Sequence, residues 1–170
     1  SDEDELQCLS NQESANDIDA ALKYTQLGDK TDFGFFGAFE HDEDFSKGKD
    51  FFAVRTSHRA GNHKIGHMLT HVDRSAIDRD ATVNAFDYQF TPNDIIKFDS
   101  VLMFSDSNQE KSGFGSRNAV VFEHNKKWRS GAEFYYYNDK LNIDDMGYLY
   151  RNNLFSGGAN VSYTRTDFTK

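Results

Sequence analysis

Hydrophobic and polar residues alternate with a period of two along most of this chain. The clearest stretches are DFGFFGAFE, ATVNAFDYQF, IIKFDSVLMF, SRNAVVFEHN and WRSGAEFYYY. Successive side chains of a β-strand point to opposite faces, so each stretch predicts a strand with one apolar, largely aromatic face and one charged face. Such strands recur with almost no helical pattern between them, which is typical of an antiparallel barrel.

The alternation predicts eight to ten strands. The first candidate, DIDAALKYTQLG at residues 17–28, also allows a helix with Ile18, Ala21 and Leu22 on one face. The other predicted strands lie at residues 33–39, 52–59, 63–72, 81–91, 95–105, 116–126, 128–137 and 154–168. The segment NDKLNIDDMGYLYRNN, residues 138–153, is expected to be a loop around a short strand.

The predicted connections are alternately short and long. Outer-membrane barrels have tight turns at one end and longer loops at the other, although a soluble meander or sandwich can show the same asymmetry. Residues 1–16 have five acidic residues and no period, which predicts a flexible leader. We therefore expect a leader at 1–16 and one barrel domain, or barrel fragment, at 17–170.

The apolar face is mostly Phe, Tyr, Ala and Gly. A protein core is usually richer in interdigitating Val, Ile and Leu, so this composition favours contact with lipid. Rings near strand ends would then form the aromatic girdles found at both membrane interfaces. The candidate girdle residues are Phe33, Phe39, Phe90, Phe104, Trp128 and Tyr136. The alternative is that these rings are the core of a soluble protein.

The charged face would line the lumen of such a barrel. The candidate lumen-facing residues are Lys23, Arg55, Arg59, Asp87, Lys97, Asp99, Arg117, Glu123, Arg129 and Glu133. Positive and negative residues occur in similar numbers, so we expect them to pair across strands. On a soluble protein the same residues would form an ordinary solvated face.

Length and charge narrow the classes of protein. The 170 residues suit a single domain, and 28 acidic against 19 basic residues give a net charge of −9. That charge would repel a phosphate backbone, so we expect no nucleic-acid partner. No apolar run approaches the roughly 20 residues of a membrane-spanning helix, which excludes a helical membrane protein but not a barrel. The single cysteine, Cys8, lies in the leader and is interpreted as incidental.

Three kinds of residue in the sequence could form a metal site or a catalytic site: spaced histidines, acidic clusters, and serine with histidine. His63, His67 and His71 would share one side of a helix, but on a strand adjacent members are about 13 Å apart, too far to share a metal ion. We interpret them as lumen or rim side chains. The acidic clusters at 40–44 and 142–145 do not match a calcium-binding loop and are interpreted as solvated loop acids. No spacing indicates a Ser-His triad, so the sequence predicts no catalytic, cofactor-binding or metal-binding residues.

Several segments in order resemble a known family: DIDAALKYTQLGDKTDFGFFGAF, DFFAVRTSHR, KIGHMLTHVDR, NAFDYQFTPND and GAEFYYYNDKLNIDDMGYLYRNN. They are similar to the barrel domain of bacterial outer-membrane proteins of unknown function, in which a carbohydrate-binding module of the family 9 type precedes the barrel. The resemblance covers residues 17–168, and its most specific part is Asp145, Gly147, Tyr148 and Arg151. The residues of this chain do not include the module, so we do not expect sugar binding from the resemblance. The family also provides no established catalytic residues to transfer.

The resemblance also bears on completeness and function. The family's barrel is larger than this chain, and the chain continues past Phe168 to Lys170, so we expect an interior piece of a longer barrel, or else a self-contained eight-stranded one. Our expectation is a transmembrane barrel module of the outer membrane, surrounded by lipid and acting as a passive pore or scaffold. The alternatives are a soluble barrel or sandwich that binds a sugar or small ligand through Trp128, Tyr135 and Tyr137, and an outer-membrane hydrolase.

Overall fold

The chain folds into one antiparallel sheet. A computed structural model describes residues 18–40, 48–145 and 147–165. The strands are β1 (Ile18–Leu27), β2 (Thr31–Glu40), β3 (Asp50–Ala60), β4 (His63–Arg74), β5 (Arg79–Phe90), β6 (Ile96–Ser107), β7 (Gly113–Glu123), β8 (Trp128–Tyr137) and β9 (Leu154–Tyr163), with a short 3-10 helix at Ser75–Ile77. The predicted all-β fold is confirmed, and the helical alternative for residues 17–28 is wrong because β1 occupies that segment.

Each strand pairs with the next one in the sequence, in the order β1 to β9. Every pairing is antiparallel, so the topology is up-and-down throughout. Among the described residues, β1 and β9 are each paired on one side only, which leaves the sheet open. The alternative of a self-contained eight-stranded barrel is therefore not what the structure shows.

The connections differ between the two ends of the sheet. At one end, here called the turn end, strands are joined by residues 28–30, 61–62, 91–95 and 124–127. At the other, the loop end, the connections are 41–49, 75–78, 108–112 and 138–153. Gly61 has a φ of 57° in its two-residue turn, a left-handed conformation that favours glycine. The two longest connections lie at the loop end, but 91–95 at the turn end is longer than 75–78 at the loop end, so the predicted alternation of short and long connections holds only in part.

Most strand boundaries differ from the sequence prediction by a few residues, and the differences at β7 and in residues 138–153 matter most for the charged face. β7 begins at Gly113, three residues before the expected start at 116, because Gly113 and Phe114 pair with Ser105 and Phe104 of β6. The described residues of 138–153 contain no strand, although a short one was expected. Their backbone N–H groups bond mostly within the connection, as the Asp144 N–H does to Asn142 Oδ1 at 3.0 Å, and the Asn142 N–H donates to Ser105 Oγ of the sheet at 3.0 Å.

The leader at residues 1–16 and most of the acidic cluster at 40–44 lie outside the described residues.

Of the strongly buried apolar side chains, Ala38, Val72 and Ala81 lie on strands and Leu141 lies in the connection 138–153. None of these four is aromatic, although the chain has sixteen Phe and eight Tyr. The aromatic side chains of the described residues are therefore more exposed than these four side chains.

Candidate functional site

Strand register divides the sheet into two faces. Residues paired across antiparallel strands share a face, and neighbours along a strand do not. On β5, Phe86, Tyr88 and Phe90 lie on one face, and Asp87 and Gln89 lie on the other. We call these the aromatic face and the charged face and follow them through the pairings of β1 to β9.

The aromatic face contains a band without Lys, Arg, Asp or Glu. On each strand from β2 to β9 the band takes five alternate positions. On β4 it runs from His63 to His71, nine residues that span about 26 Å at roughly 3.3 Å per residue. At the loop end the band is bounded on β3 to β6 by Asp50, Asp73, Asp80 and Asp106.

Rings concentrate towards both edges of this band. The loop-end row is Phe39, Phe52, Phe104, Phe114, Tyr136 and Phe155, and the turn-end row is Phe90, Phe122, Trp128 and Tyr163. Neighbouring rings touch: the ring centroids of Phe104 and Phe114 are 5.1 Å apart, and those of Trp128 and Tyr163 are 4.9 Å apart. Each row therefore extends over several strands but is interrupted, at His71 and Thr82 in the loop-end row and at Ile96 in the turn-end row.

All six candidate girdle residues lie on the aromatic face. Phe39, Phe104 and Tyr136 belong to the loop-end row, and Phe90 and Trp128 belong to the turn-end row. Phe33 is the second band position from the turn end of β2, next to Thr31. Their role as a membrane girdle stays a prediction.

The aromatic face is open to solvent. Phe86, in the middle of β5, is 44% exposed, Phe39 is 52% exposed and Phe155 is 76% exposed. A monomeric soluble protein rarely leaves an apolar patch of this extent uncovered. The described residues leave this face uncovered.

The polar groups within the band bond to one another. His67 Nε2 is 3.1 Å from Asn84 Oδ1, and the Ser100 hydroxyl donates to Asn118 Oδ1 at 2.8 Å. Paired in this way, they cost less to remove from water than isolated groups would.

His63, His67 and His71 do not share a face with the candidate lumen-facing residues, whereas His63 and His71 stand at the two ends of the band on β4, so the rim interpretation stays a prediction for those two. They lie on the aromatic face because their register partners on β5 are Phe90, Phe86 and Thr82. His67 stacks on Phe86 with ring centroids 4.5 Å apart. Across the described ranges, no group of three or more His, Cys, Asp or Glu side chains could hold a metal ion.

All ten candidate lumen-facing residues lie on the charged face. The register places Lys23, Arg55, Arg59, Asp87, Lys97, Asp99, Arg117, Glu123, Arg129 and Glu133 there together. The expected pairing across strands is present: Arg129 Nε is 3.9 Å from Glu123 Oε1, and Arg117 Nη2 is 4.0 Å from Glu133 Oε2. These pairs are half exposed, so each contributes no more than about 1 kcal/mol to stability.

One ion pair on this face crosses a whole strand. Arg55 on β3 pairs with Asp87 on β5, over Gly66 of β4. A Cβ at Gly66 would lie 2.5 Å from Asp87 Oδ1 and 2.6 Å from Arg55 Nη2. The glycine leaves the space in which the two side chains meet.

The charged face lines a concavity of about 680 Å³ over β5 to β9. Its floor includes the small residues Ala119, Gly131 and Gly158, and its charged lining is Asp87, Lys97, Asp99, Arg117, Arg129 and Glu133. The charged side of the sheet is thus concave and lined by residues of both signs. Such a surface can hold water and small polar solutes.

The soluble-ligand alternative grouped Trp128 with Tyr135 and Tyr137. The structure separates them: both tyrosines lie on the charged face, and Trp128 lies on the aromatic face. Tyr135 accepts a hydrogen bond from Arg117 Nε at 3.3 Å and donates one to Glu133 Oε2 at 2.6 Å. Those three aromatic residues therefore cannot form one binding site.

The connection from β8 to β9 folds back onto the charged face in its described residues, 138–145 and 147–153. We call these residues the strap. Leu141 is 1% exposed, and it packs on β7 where Gly113 and Gly115 have no side chains. Asn142 bonds to Ser105 of β6, and its side-chain amide donates to Glu110 Oε2 at 2.9 Å. The strap is thus anchored to the sheet by apolar and polar contacts.

Asp145 is the most deeply buried acid in these contacts. Arg79 donates to both of its carboxylate oxygens, from Nε at 3.1 Å and from Nη2 at 2.8 Å. Arg74 Nε is 3.3 Å from Asp145 Oδ1 in an ion pair without hydrogen-bond geometry. The side chain of Asp145 is 8% exposed and that of Arg79 is 11% exposed. The interpretation of residues 142–145 as solvated loop acids is therefore wrong for Asp145.

Asp139 shows the contrast within the same strap. Its carboxylate accepts a hydrogen bond from Lys140 Nζ at 2.6 Å, which lowers the pKa of Asp139. That side chain is 58% exposed. The two strap acids therefore differ in burial and partners, which makes Asp139 a control for Asp145.

One family model matches this chain, and its description is "Domain of unknown function (DUF5916)". The match runs from residue 18 to residue 170 and so includes all nine strands and the strap. The chain belongs to this family. Both faces of the sheet and the Asp145 cluster are accordingly features of a DUF5916 domain, whose description states neither an activity nor a location.

No curated protein matches the chain. In the part of the DUF5916 domain that the structure describes, no helix is long and apolar enough to cross a membrane.

Proposed function

We propose that this chain is a β-barrel module of the bacterial outer membrane, acting as a passive pore or envelope scaffold. The aromatic face contacts lipid and the charged face lines an aqueous lumen. One observation carries the proposal: from β2 to β9, one face of every strand has a five-position band without Lys, Arg, Asp or Glu, whereas the concave face has the charges.

The size of the band suits a bilayer. A transmembrane β-strand needs about 9–11 residues when it is tilted, and the band takes nine residues of each strand. Rings gather at both edges of the band, where the membrane interfaces would lie.

Free energy also favours lipid on the aromatic side. A Lys or Arg facing the middle of the bilayer costs about 2–4 kcal/mol, and the band has none. Removing a Phe-sized side chain from water contributes about 1.5–3 kcal/mol, so the exposed rings favour an apolar solvent. The charged face has the opposite requirement and keeps its solvation only if it lines water.

The open edges support a barrel completed by further strands. Within the described residues, β1 and β9 each have one neighbour. In hydrocarbon an unpaired edge leaves N–H and C=O groups without partners, at several kcal/mol each. We propose that additional strands pair with both edges in the membrane.

The first test is detergent dependence. We expect the natural protein, including the additional strands that close the barrel, to aggregate in plain buffer, to be monodisperse in detergent, and to run faster on a gel when unheated, because a closed barrel resists unfolding by the gel detergent. Chelator should change none of these properties. A protein that stays monodisperse without detergent and migrates identically with and without heating would contradict the proposal and would favour the soluble sandwich.

Trp128, the only tryptophan, provides a second test. It is 46% exposed in the turn-end row, so we expect lipids brominated near the glycerol to quench its fluorescence more than lipids brominated near the methyl end. The control moves the tryptophan to the middle of the band on β8, in the double variant Trp128→Phe, Ala132→Trp, and should reverse the order. Equal quenching of both tryptophans by both lipids would count against contact of this face with lipid.

A further inference from the structure

The strap crosses the charged face in the order of the strands beneath it. It leaves β8 after Tyr137, and Leu141 then lies over β7. Asn142 reaches Ser105 of β6, and Asp145 reaches Arg79 of β5 and Arg74 of β4. In a few residues the chain therefore extends over the loop end of four neighbouring strands.

The strap then returns to its starting point. The Asn153 N–H donates to the Asn138 carbonyl at 3.1 Å, and Asn152 Nδ2 donates to the Asp139 carbonyl at 3.2 Å. These bonds close the base of the strap beside β8 and β9. The strap is therefore a folded element with defined ends.

Two glycines of β7 leave space on the sheet for the strap. A Cβ at Gly113 would lie 2.4 Å from Leu141 Cα, and one at Gly115 would lie 2.6 Å from Leu141 Cδ2. Both glycines lie on the charged face, as their partners Ser105 and Tyr137 do. The strap thus packs onto the concave side of the sheet.

The far end of the strap is held by charge. Asp145 sits between Arg74 and Arg79, and Glu110 of the connection 108–112 meets Arg79 Nη1 at 3.2 Å. The positive charges of Arg74 and Arg79 balance the negative charges of Asp145 and Glu110. Removing one partner of such a buried pair leaves a charge without compensation, so Asp145 is the residue on which docking of the far end depends.

We propose that the strap is an inward-folded plug that narrows the loop end of the lumen, and that the contact of Asp145 with Arg74 and Arg79 is the latch that keeps it in place. This inference rests on the proposed function, because it needs a lumen. It goes beyond that function by assigning the strap the control of passage: the latched strap restricts the movement of small ions, and release of the latch permits it.

The test compares Asp145→Asn with Asp139→Asn. Both variants neutralise one strap acid, but only the first removes the latch. For Asp145→Asn we expect amide hydrogen exchange in residues 138–153 to become roughly tenfold faster or more, because local opening no longer breaks the buried pair. In planar bilayers with potassium chloride we expect single-channel conductance to rise roughly twofold or more, because the narrowest part of a pore limits its current. Asp139→Asn should change neither quantity.

A second variant guards against poor folding of the first. Leu141→Ser removes the apolar anchor without touching the latch and should speed exchange and raise conductance in the same direction. Each variant is first checked for heat-modifiable gel migration. If wild-type protein lacks this property, the barrel proposal and the plug fail together.

The remaining outcomes concern the strap alone. Faster exchange with unchanged conductance in a heat-modifiable protein overturns the plug and leaves the barrel standing. Unchanged exchange in Asp145→Asn overturns the latch, whatever Leu141→Ser does. Faster exchange with increased conductance in Asp145→Asn, and not in Asp139→Asn, supports the plug and its latch, whereas the same response in Leu141→Ser alone supports only the plug.

Discussion

Phe86→Arg is expected to destabilise the membrane-inserted protein far more than Phe90→Arg does. Phe86 is the central position of the band on β5, and Phe90 is at its turn-end edge. The cost of an outward-facing Arg is about 2–4 kcal/mol at the middle of a bilayer and about 0–1 kcal/mol near the interfaces. Folding into phosphatidylcholine vesicles, followed by urea titration, would measure the difference in the free energy of unfolding.

The comparison is matched because both rings have the same kind of neighbour. Phe86 stacks on His67 with centroids 4.5 Å apart, and Phe90 stacks on His63 with centroids 4.6 Å apart. Both substitutions lose a similar stacking contact with histidine, and Phe86→Arg also loses the edge contact of Phe86 with Phe104, whose ring centroids are 6.4 Å apart. Phe86→Leu and Phe90→Leu lose the same ring contacts without adding a charge, so the difference that remains after their effects are subtracted reports depth in the membrane. Ala85→Arg adds the same charge next to Phe86 but on the charged face, so it should be tolerated.

Other environments of the aromatic face give a different pattern. If a second protein layer covered this face, Phe86→Arg and Phe90→Arg would both bury a charge against protein, and depth in the band would not order their costs. Equal destabilisation by the two variants, or a greater cost for Phe90→Arg, would exclude lipid as the covering medium.

The faces of the sheet could be predicted from the sequence because a strand has a strictly local period. Alternation along each segment separates its charged positions from its aromatic positions without knowledge of the pairing. It is sufficient to put Arg55, Asp87 and Arg117 on one side, and Phe39, Phe104 and Trp128 on the other. The pairing order followed from short connections between consecutive strands. Nine strands lie within the predicted eight to ten.

The three histidines of β4 are a case in which alternation and composition do not indicate the same face. His63, His67 and His71 share parity with Ile65 and Leu69, which indicated the aromatic face. However, Met68 and Val72 make the other face of β4 apolar too, so composition does not distinguish the two faces of this strand. The structure resolves the conflict because each histidine finds a partner on β5, such as Asn84 for His67.

The strap could not have been predicted in the same way. Arg79 and Asp145 are 66 residues apart in the sequence, and no local period connects them. The acids at 142–145 resemble those of any solvated loop, and Gly113 and Gly115 resemble loop residues. Only the fold shows that these glycines leave room for Leu141. The nearest signal was the family resemblance, which was most specific at Asp145, Gly147, Tyr148 and Arg151.

Gly113→Ala is expected to lift the strap from the sheet. The new Cβ would lie 2.4 Å from the Leu141 Cα and N and from the Lys140 carbonyl oxygen, all of them backbone atoms that cannot rotate away. Exposing Leu141 again would cost about 1.5–3 kcal/mol of strap docking. Amide exchange at Asn142, whose N–H bonds to Ser105, would report the loss, and denaturant unfolding would show whether the sheet itself remains folded.

Gly158→Ala is the control for this prediction. Gly158 also lies on the charged face, in β9, and a Cβ there would meet nothing within 4 Å. Since glycine within a strand is destabilising by about 0.5–1 kcal/mol relative to alanine, Gly158→Ala should leave the strap docked and stabilise the strand slightly. If Gly113→Ala left Asn142 as protected as Gly158→Ala does, the strap would not be seated on β7. The difference between these two alanines therefore isolates close contact with the strap from the general effect of replacing glycine in a strand.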